Sequence, residues 1–280
     1  MFQALSKACL CAVPPLEQRL SLPLFNAPSA TAANSFGGES NFAMSEKVLG
    51  NRLLQLLPAD DLSSIRHWLE PVELAFKDTL VESDVPISYV YFPESCVLSI
   101  VALANCDTRI EVGMVGFEGM TALSVKDGDS SPFRWIIQLP GAAWRMKSEN
   151  FRLAFNGYGS VSELIMRYHE ARAIQFAYTA LAHGSFTLTE RLARWLLMSH
   201  DRGRSDSMPH VHEFIASMLA VRRSGVSAAI HYLEGLGAIR AGRGEISIVD
   251  RSKLIAIAAG GYGVAEAEYD RLMAPRHNGA

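Results

Sequence analysis

The stretch from His210 to Val249 reads HVHEFIASMLAVRRSGVSAAIHYLEGLGAIRAGRGEISIV, and its pattern predicts the architecture of the C-terminal part of the chain. Apolar residues recur three and four positions apart before and after Ala220, which predicts two helices joined by a tight turn. These positions are Phe214, Ile215, Met218 and Leu219, then Val226, Ile230 and Leu233. Gly237 predicts the end of the second helix, and the residues around Gly242-Arg243-Gly244 predict a β-hairpin.

The second helix is predicted to open with Val221-Arg222-Arg223-Ser224-Gly225-Val226-Ser227, so its first turn carries two guanidinium groups and two hydroxyls. Such a helix start fits a DNA major groove, where these donors meet guanine edges and phosphates. A basic hairpin tip at Arg243 would reach a neighbouring phosphate, as the wing of a winged helix-turn-helix does. The alternative is a small helical subdomain that carries Arg222 and Arg223 on a solvated face.

The distribution of charge supports the DNA-binding interpretation. The whole chain has 26 Lys and Arg residues against 29 Asp and Glu. Residues His183 to Lys253 hold ten basic and seven acidic residues, which leaves 16 against 22 for the rest of the chain. This asymmetry indicates that the C-terminal part meets a polyanion while the remainder does not. The excess is modest and suits a specific reader better than a nonspecific DNA coat.

The chain has 280 residues and a mass of 30.6 kDa, which is enough for two domains with separate cores. No run approaches the ~20 apolar residues that a membrane helix needs. The four cysteines, at positions 9, 11, 96 and 106, include no CxxC pair and are too few for a disulfide framework. We therefore expect a cytoplasmic protein without a membrane partner.

Residues 1–43 differ in composition from the rest of the chain. They are rich in Pro, Ala and Ser without periodicity, so we expect a disordered tail. A signal peptide is the alternative, but the apolar stretch from Ala8 to Val13 is short and ends at Pro14. The compact sequence begins at Met44, where translation could also start.

Short apolar runs follow a predicted pair of helices over Asn51–Glu70 that is broken at Pro58. Turn residues separate the runs, a pattern typical of a β-sandwich or a jelly-roll barrel. The predicted strands are Val72–Phe76, Tyr89–Phe92, Val97–Leu103, Ile110–Val115, Trp135–Leu139 and Ala142–Met146.

Helical periodicity resumes at Ser148, a candidate N-cap of a short helix to Phe155. A long helix is predicted from Ser160 to Ala182, and another from Thr187 to His200. A long helix between two domains often pairs with its copy in a homodimer. The alternative is that it packs on its own barrel.

The order of barrel, long helix and winged helix-turn-helix resembles the Crp/Fnr family of bacterial transcription regulators over residues 51–273. The strings that carry the resemblance are YFPES from Tyr91, EVGMVGFEGM from Glu111, ERLARWLL from Glu190, VRRSGV from Val221 and YGVAEAEYDRLM from Tyr262. The resemblance implies an α+β fold with a cyclic-nucleotide-binding-like jelly-roll sensor barrel at 44–158, a dimerisation helix at 159–183 and a winged helix-turn-helix domain at 184–280. It also implies a homodimer on a pseudo-palindromic operator, a small-molecule effector, and RNA polymerase as a further partner.

The family's base-reading positions fall on Arg223, Ser224 and Ala228, with Arg222 and Ser227 beside them. Arg223 is the candidate for a bidentate contact with guanine. Ser224 stands where the best-known members have glutamate, and Ala228 replaces a basic reader, so their operator sequence is not expected here. Arg222 and Arg243 suit phosphates, which position the protein without specifying sequence.

The expected ligand pocket departs from members that bind cyclic AMP. Those members hold the ribose with a glutamate and the phosphate with an Arg-Ser or Arg-Thr pair. The corresponding positions here are Gly119-Met120-Thr121 and Phe133-Arg134. Met120 cannot accept from a ribose hydroxyl and Phe133 cannot neutralise a phosphate, so we expect an effector other than cyclic AMP, of unknown identity, and no resident cofactor. An iron–sulfur cluster is disfavoured because no set of four suitable cysteines exists.

Two further function classes stay open at this point. A jelly-roll barrel can be a metal-dependent enzyme, but that chemistry needs clustered His and carboxylate ligands, and no histidine lies between Val72 and Met146. His210 and His212 are two residues apart, which a solvated loop before a helix explains. The other class is a signalling module whose barrel binds a small molecule or a partner protein without reading DNA.

Overall fold

The computed structural model describes residues 49–104, 108–121, 130–203, 207–209 and 211–275. All of them belong to one compact unit. The expected tail over residues 1–43, Cys9, Cys11, Cys106 and His210 lie outside the described residues. No helix in the described part of the chain combines the length and the apolar character that a bilayer crossing requires.

Two short helices open the fold, α1 at Arg52–Gln55 and α2 at Ala59–Arg66. Asn51 caps α1: its side-chain oxygen accepts from the amides of Leu53 and Leu54. The Asn51 amide nitrogen also donates to the carbonyls of Pro93 and Gly119, each at 2.8 Å. One fully buried side chain therefore ties the first helix to two segments of the sheet domain.

Seven antiparallel strands follow in the described part of the chain, and they form two sheets. The strands are β1 Glu70–Leu74, β2 Thr79–Val81, β3 Tyr89–Pro93, β4 Val97–Leu103, β5 Arg109–Val115, β6 Phe133–Leu139 and β7 Gly141–Lys147. One sheet has the order β1-β7-β3 and the other β2-β6-β4-β5. All six strands expected from the sequence are present, and β2 is an additional strand.

The two sheets share one apolar core. Leu74 and Ala143 from the first sheet join Leu98, Ile100 and Trp135 from the second in the same buried cluster. The strand pairing among the described residues leaves two separate sheets and does not close them into one ring. The expected α+β fold with an N-terminal β domain is confirmed.

Three helices then lead away from the sheets: α3 Ser148–Gly157, α4 Gly159–Ser185 and α5 Leu188–Gly203. The expectation that Ser148 caps α3 is wrong. The N-cap is Lys147, and no side chain makes a capping hydrogen bond there. The backbone at Ser148 is already helical because β7 runs directly into α3 without a connecting loop.

One side of the long helix α4 packs against other helices of the same chain. Val161, Leu164, Ile165, Tyr168 and Ala171 are buried against the N-terminal helices, α3 and the last helix of the chain. On the opposite side, exposed positions recur at heptad spacing. They are Met166, Glu170, Ala173, Ala177, Ala180, Leu181 and Gly184, which we call the α4 stripe.

The C-terminal part consists of β8 Ser207–Pro209, α6 His212–Met218, α7 Arg223–Gly235, the hairpin β9 Ile239–Gly242 with β10 Glu245–Ile248, α8 Arg251–Ile257 and α9 Val264–Met273. Strand β8 adds to the hairpin, so this sheet has the order β8-β10-β9. The second helix of the motif was expected to open at Val221, but it begins at Arg223. Arg222 is extended, with φ −72° and ψ 144°, and serves as the N-cap.

The C-terminal helices and the larger sheet share a second apolar core. Val97, Met114 and Leu139 belong to the same buried cluster as Leu196 and Ile215. The rings of Phe76 and Phe214 lie 5.3 Å apart, and the Gln138 amide donates to Ser199 Oγ at 2.6 Å. Helix α5 is buried on nearly all sides because it lies between the sheet and the helix-turn-helix.

Candidate nucleic-acid interface and cavity

The turn between α6 and α7 is held by its backbone. Ala220 has φ 52°, the left-handed region that residues other than glycine rarely adopt. The amide of Val221 donates to the carbonyl of Ala216 at 2.9 Å, the long-range bond of a Schellman motif at the end of α6. This sharp reversal is what allows α7 to start immediately, at Arg223.

Helix α7 presents its two faces to different surroundings. Val226, Ala229, Ile230 and Leu233 are buried in the C-terminal core. Arg222, Arg223 and Ser224 are exposed at the start of the helix, and Ala228 is exposed one turn later. The structure therefore brings three of the predicted DNA-contacting side chains together on one solvent-facing helix end.

Ser227 is placed differently from its neighbours. It is half-buried, and its hydroxyl lies 3.1 Å from Nδ1 of His212. That contact joins the start of α6 to the first turn of α7. The sequence analysis explains His212 as a residue of a solvated loop before the helix. In the structure it is the first residue of α6 and its ring contacts Ser227.

The start of α7 also borders the sheet domain. An open groove of about 620 Å³ is lined by Arg222 and Arg223 on one side and by Thr108 and Arg109, at the start of β5, on the other. Arg109 is exposed, and among the described residues that line the groove three carry a guanidinium group and one, Glu213, carries a carboxylate. Sequence reasoning missed Arg109 because more than a hundred residues separate it from the helix-turn-helix.

The hairpin expected from the sequence is confirmed, and Arg243 lies exposed at its tip. Gly244 follows with φ 78°, a conformation that needs glycine in this turn. The hairpin is fixed to α7, because the amide of Ala241 donates to Glu234 Oε1 at 3.0 Å. Arg240 is a further exposed cation on the same hairpin.

The five residues expected to line a ligand pocket have mainly structural contacts. A methyl group at Gly119 would lie 2.2 Å from Tyr168 Oη, and the amide and carbonyl of Met120 both bond that hydroxyl at 3.0 Å. Thr121 Oγ1 accepts from the amide of Tyr91 at 3.0 Å. The other two residues lie on β6. Phe133 packs against Phe176, and Arg134 pairs with exposed Glu82 at 2.8 Å.

The structure has a partly open cavity of about 270 Å³ elsewhere, bordered by α4, the turn after β5, the end of α5, and α9. None of the five expected pocket residues lines it. Its polar lining consists of Arg52, Glu118, Tyr168, Arg172, Gln175, Asp201, Arg202, Tyr262, Glu266, Tyr269 and Asp270. Its apolar lining consists of Met114, Phe117, Ala171 and Ala265.

Most charges around this cavity are paired with each other. Arg202 Nε lies 2.6 Å from Glu118 Oε1, and Arg52 Nη1 lies 2.8 Å from Asp270 Oδ1. Asp201 accepts from Arg251 Nη2 at 2.5 Å and from the Tyr262 hydroxyl at 2.6 Å. Sequence spacing gives no signal for these pairs, because their members come from distant segments.

A further polar cluster lies where β5 meets α4 and α5. Burial raises the pKa of Glu111 to about 7, against the weaker opposing effect of the neighbouring polar groups of Ser99 and Trp195. The backbone carbonyl of Glu111 lies 3.2 Å from Nε2 of His183. Arg194, also buried, donates to the carbonyl of Gly261 at 2.8 Å and to Thr179 Oγ1 at 3.1 Å. This network links the sheet, the long helix and the C-terminal domain.

Comparison with protein families matches residues 190–257 to the Crp-like helix-turn-helix domain. A comparison with curated proteins finds no match.

Several solved structures share the fold. FixK2 from Bradyrhizobium japonicum aligns with a TM-score of 0.55 and 19% identity, over 68% of this chain and 96% of its own. A CRP-family transcriptional regulator from Thermus thermophilus aligns with a TM-score of 0.58 and 17% identity, over 68% and 97%. The c-di-GMP-responsive global regulator CLP from Xanthomonas campestris aligns with a TM-score of 0.55 and 13% identity, over 68% and 99%. The resemblance indicated by the sequence motifs is confirmed: the chain has the Crp/Fnr fold and carries a Crp-like helix-turn-helix domain, the DNA-binding part of a transcription regulator of this type.

Proposed function

We propose that this chain is a sequence-specific transcription regulator that binds a pseudo-palindromic operator as a homodimer and responds to a small-molecule effector. One observation carries the proposal: Arg222, Arg223 and Ser224 are exposed together at the start of α7, while the other face of the helix is buried. The working division is a sensor at 44–158, a dimerisation helix at 159–183 and a DNA-binding domain at 184–280.

Each exposed side chain has a role that its chemistry suits. Arg223, at the first helical position, is proposed to read guanine through two parallel hydrogen bonds. Ser224 is proposed to contact the adjacent base edge. Arg222 at the N-cap and Arg243 at the hairpin tip are proposed to bind phosphates on either side of the groove. Ser227 has a smaller role, since His212 already engages its hydroxyl.

The α4 stripe supports the homodimer. Its positions repeat with the 3.5-residue period of a coiled-coil seam, and small residues at four of them allow close approach of a second helix. Met166 is 60% exposed and Leu181 is 46% exposed, which is unusual for apolar side chains on a long helix. A two-fold axis along this stripe would give two recognition helices, which must lie about 34 Å apart to enter successive major grooves.

The proposed effector is not cyclic AMP. Met120 cannot replace the ribose-binding glutamate, and its backbone groups already bond Tyr168. An effector must bind two arrangements of the DNA-binding domains with different affinity in order to switch between them. We also propose that the chain acts in the cytoplasm, contacts RNA polymerase and has no enzymatic activity.

The test is fluorescence anisotropy of the full chain against fragments of its own genome. We expect one fragment to bind with an affinity well above that of bulk DNA. Arg223→Ala should weaken that complex by about tenfold or more, because a bidentate guanine contact contributes about 1–3 kcal/mol of discrimination. Arg271→Ala, which removes an exposed cation on α9 paired with Glu268, is the matched control and should leave affinity unchanged.

A different result would favour the alternative class. If no fragment binds above the bulk level, or if both arginine variants behave alike, the chain is better described as a signalling module without DNA readout.

A further inference from the structure

Arg172 on α4 is a buried cation with unused hydrogen-bond donors. It is 4% exposed and lines the 270 Å³ cavity. Its Nη1 donates to the carbonyl of Met120 at 3.2 Å and to Tyr168 Oη at 3.3 Å. Its Nε and Nη2 are buried and have no hydrogen-bond partner among the described residues.

The surroundings of this guanidinium are mainly aromatic. Its central carbon lies 4.7 Å from the ring centre of Trp135 and 5.3 Å from that of Phe176. Ring faces attract a cation, but they accept N–H groups only weakly and do not replace an oxygen partner for Nε and Nη2. Among the described residues no carboxylate forms an ion pair with Arg172. A buried charge with unpaired donors destabilises the folded chain by several kcal/mol. A bound group that accepts from these donors would remove that penalty.

The other polar groups of the cavity do not supply that partner. Glu118, Asp201 and Asp270 are paired with Arg202, Arg251 and Arg52. Glu266 accepts from the amide of Gly263 at 2.8 Å.

The tyrosine hydroxyls are also occupied. Those of Tyr168, Tyr262 and Tyr269 donate to Met120, Asp201 and Glu118. Burial raises the pKa of all three tyrosines, which keeps the hydroxyls neutral. Among the described residues of the lining, the buried cationic donors without a hydrogen-bond partner are therefore those of Arg172.

We propose that this cavity binds a small organic oxyanion, whose carboxylate or phosphate group pairs with the guanidinium of Arg172. Nε and Nη2 are closed to water in the present rotamer, so binding requires the guanidinium to turn these two atoms towards the cavity. These two atoms present parallel N–H groups, the geometry that matches two oxygens of one oxyanion. Met114, Phe117, Ala171 and Ala265 offer an apolar wall for an uncharged body. At about 270 Å³ the cavity lies just below the usual range of ~300–1,000 Å³ for pockets of drug-sized ligands, which restricts the occupant to a small molecule.

The position of the cavity suggests what its occupant does. Its wall includes Arg172 on the long helix and Asp201 and Arg202 at the end of α5, the first helix of the C-terminal domain. An anion there would contact elements of both domains and alter the charge balance next to the Arg202–Glu118 pair. The role of the anion as the effector rests on the proposed function. The binding of an anion in this cavity does not.

The test uses the full chain and three sodium salts as probes: inorganic phosphate, acetate and benzoate. Each is compared with sodium chloride at equal ionic strength, by calorimetric titration and by thermal unfolding. We expect at least one probe to bind in a one-to-one ratio and to raise the Tm more than chloride does. A response to phosphate assigns the headgroup to the phosphate class, and a response to acetate or benzoate assigns it to the carboxylates.

Arg172→Met removes the guanidinium and keeps an unbranched side chain, so it should weaken binding of the active probe at least tenfold. Without any probe this variant should be as stable as the unmodified chain or more so, since it removes a buried unpaired charge. Arg172→Lys, which keeps the charge but loses the two parallel N–H groups, should also bind more weakly, and it tests the idea if the methionine variant does not fold. Arg145→Met, at an exposed pair with Glu70, is the control and should bind as the unmodified chain does.

The proposal is overturned if no probe exceeds chloride, or if the Arg172 variants that fold bind as tightly as the unmodified chain. Failure of the proposed function is distinguishable from this. Arg223→Ala should weaken specific DNA binding by about tenfold or more while leaving probe binding intact, and loss of probe binding in Arg172→Met should be seen in the absence of DNA.

Discussion

Arg202 Nε and Glu118 Oε1 lie 2.6 Å apart, with side chains 9% and 12% exposed, and they join the last turn of α5 to the turn after β5. A second carboxylate oxygen of Glu118 accepts from the amide of Gly116 at 3.0 Å. The pair is thus satisfied on both sides and lies at the junction of the sheet domain with the C-terminal helices. Removing this ion pair should lower the stability of the fold far more than removing an exposed ion pair.

Glu118→Gln should lower the free energy of unfolding by about 3 kcal/mol, because it leaves the Arg202 guanidinium buried without a charged partner. Glu82→Gln removes the exposed partner of Arg134 and should cost less than about 1 kcal/mol. Urea denaturation of both variants measures the difference. Equal losses would show that the buried pair does not stabilise the domain junction.

Gly119→Ala should destabilise the fold by about 1–3 kcal/mol, the usual cost of forcing an extra methyl group into a packed site. The new methyl carbon would lie 2.2 Å from Tyr168 Oη, which is fixed by two bonds to the backbone of Met120. Gly157→Ala is the matched control, since nothing lies within 4 Å of a methyl group there. A Tm for Gly119→Ala as high as that of the control would contradict the close contact.

Stability should depend on pH through Glu111. Its folded pKa of about 7 lies above the ordinary value of 4.5, so between these values the folded chain binds more protons than the unfolded chain. The Glu111 contribution to stability is therefore present below pH 4.5 and is lost as the pH rises through 7. Over this window the loss is on the order of 3 kcal/mol.

Glu111→Gln isolates this effect. The difference in unfolding free energy between the unmodified chain and the variant should favour the unmodified chain more at pH 5 than at pH 8. Burial lowers the pKa values of His169 and His183, which act in the opposite direction at acidic pH, but they are present in both proteins and cancel in the difference. A difference independent of pH would mean that Glu111 titrates normally.

Ala177→Glu should shift the chain towards the monomer, because it places a charge in the middle of the α4 stripe and opposite its own copy at a two-fold axis. Leu153→Glu, at a 60% exposed position on α3, makes a comparable change away from the stripe and should leave the assembly unchanged. Sedimentation of both variants over a range of concentrations measures the dimer dissociation constant. A monomeric unmodified chain at micromolar concentration would contradict the proposed seam.

Much of the fold was predictable because its elements carry strong periodic patterns. Strand β4 was predicted over Val97–Leu103 and has those bounds, and α4 differs from the expected helix by a few residues at most. The strands that were missed, Thr79–Val81 and Ser207–Pro209, have three residues each, too few for an alternating pattern to register. The start of α7 was placed two residues early because nothing in the composition shows that Arg222 adopts an extended conformation.

The candidate site was predictable only for residues whose surroundings come from nearby positions in the sequence. Arg223 and Ser224 were placed on the exposed side of their helix because the buried face repeats at regular spacing. Arg109 and Arg172 gave no such signal. Their environments come from segments that are distant in the chain, as with the bond from Arg172 to the carbonyl of Met120. Long-range pairing of polar groups depends on the tertiary fold and leaves no short-range pattern.

The contact between Phe76 and Phe214 is one part of the core that the sheet and the C-terminal helices hold in common. A fragment beginning after α4 would consequently leave Leu196, Ile215 and their neighbours facing water, and we would expect it to aggregate more readily than the whole chain. The common core also limits how far the C-terminal helices, including the start of α7, can reorient relative to the sheet. A free swing about a hinge would expose apolar surface on both the sheet and the C-terminal helices. Under the proposed function, a small sliding of α5 against the sheet would therefore transmit an effector signal at lower cost in free energy.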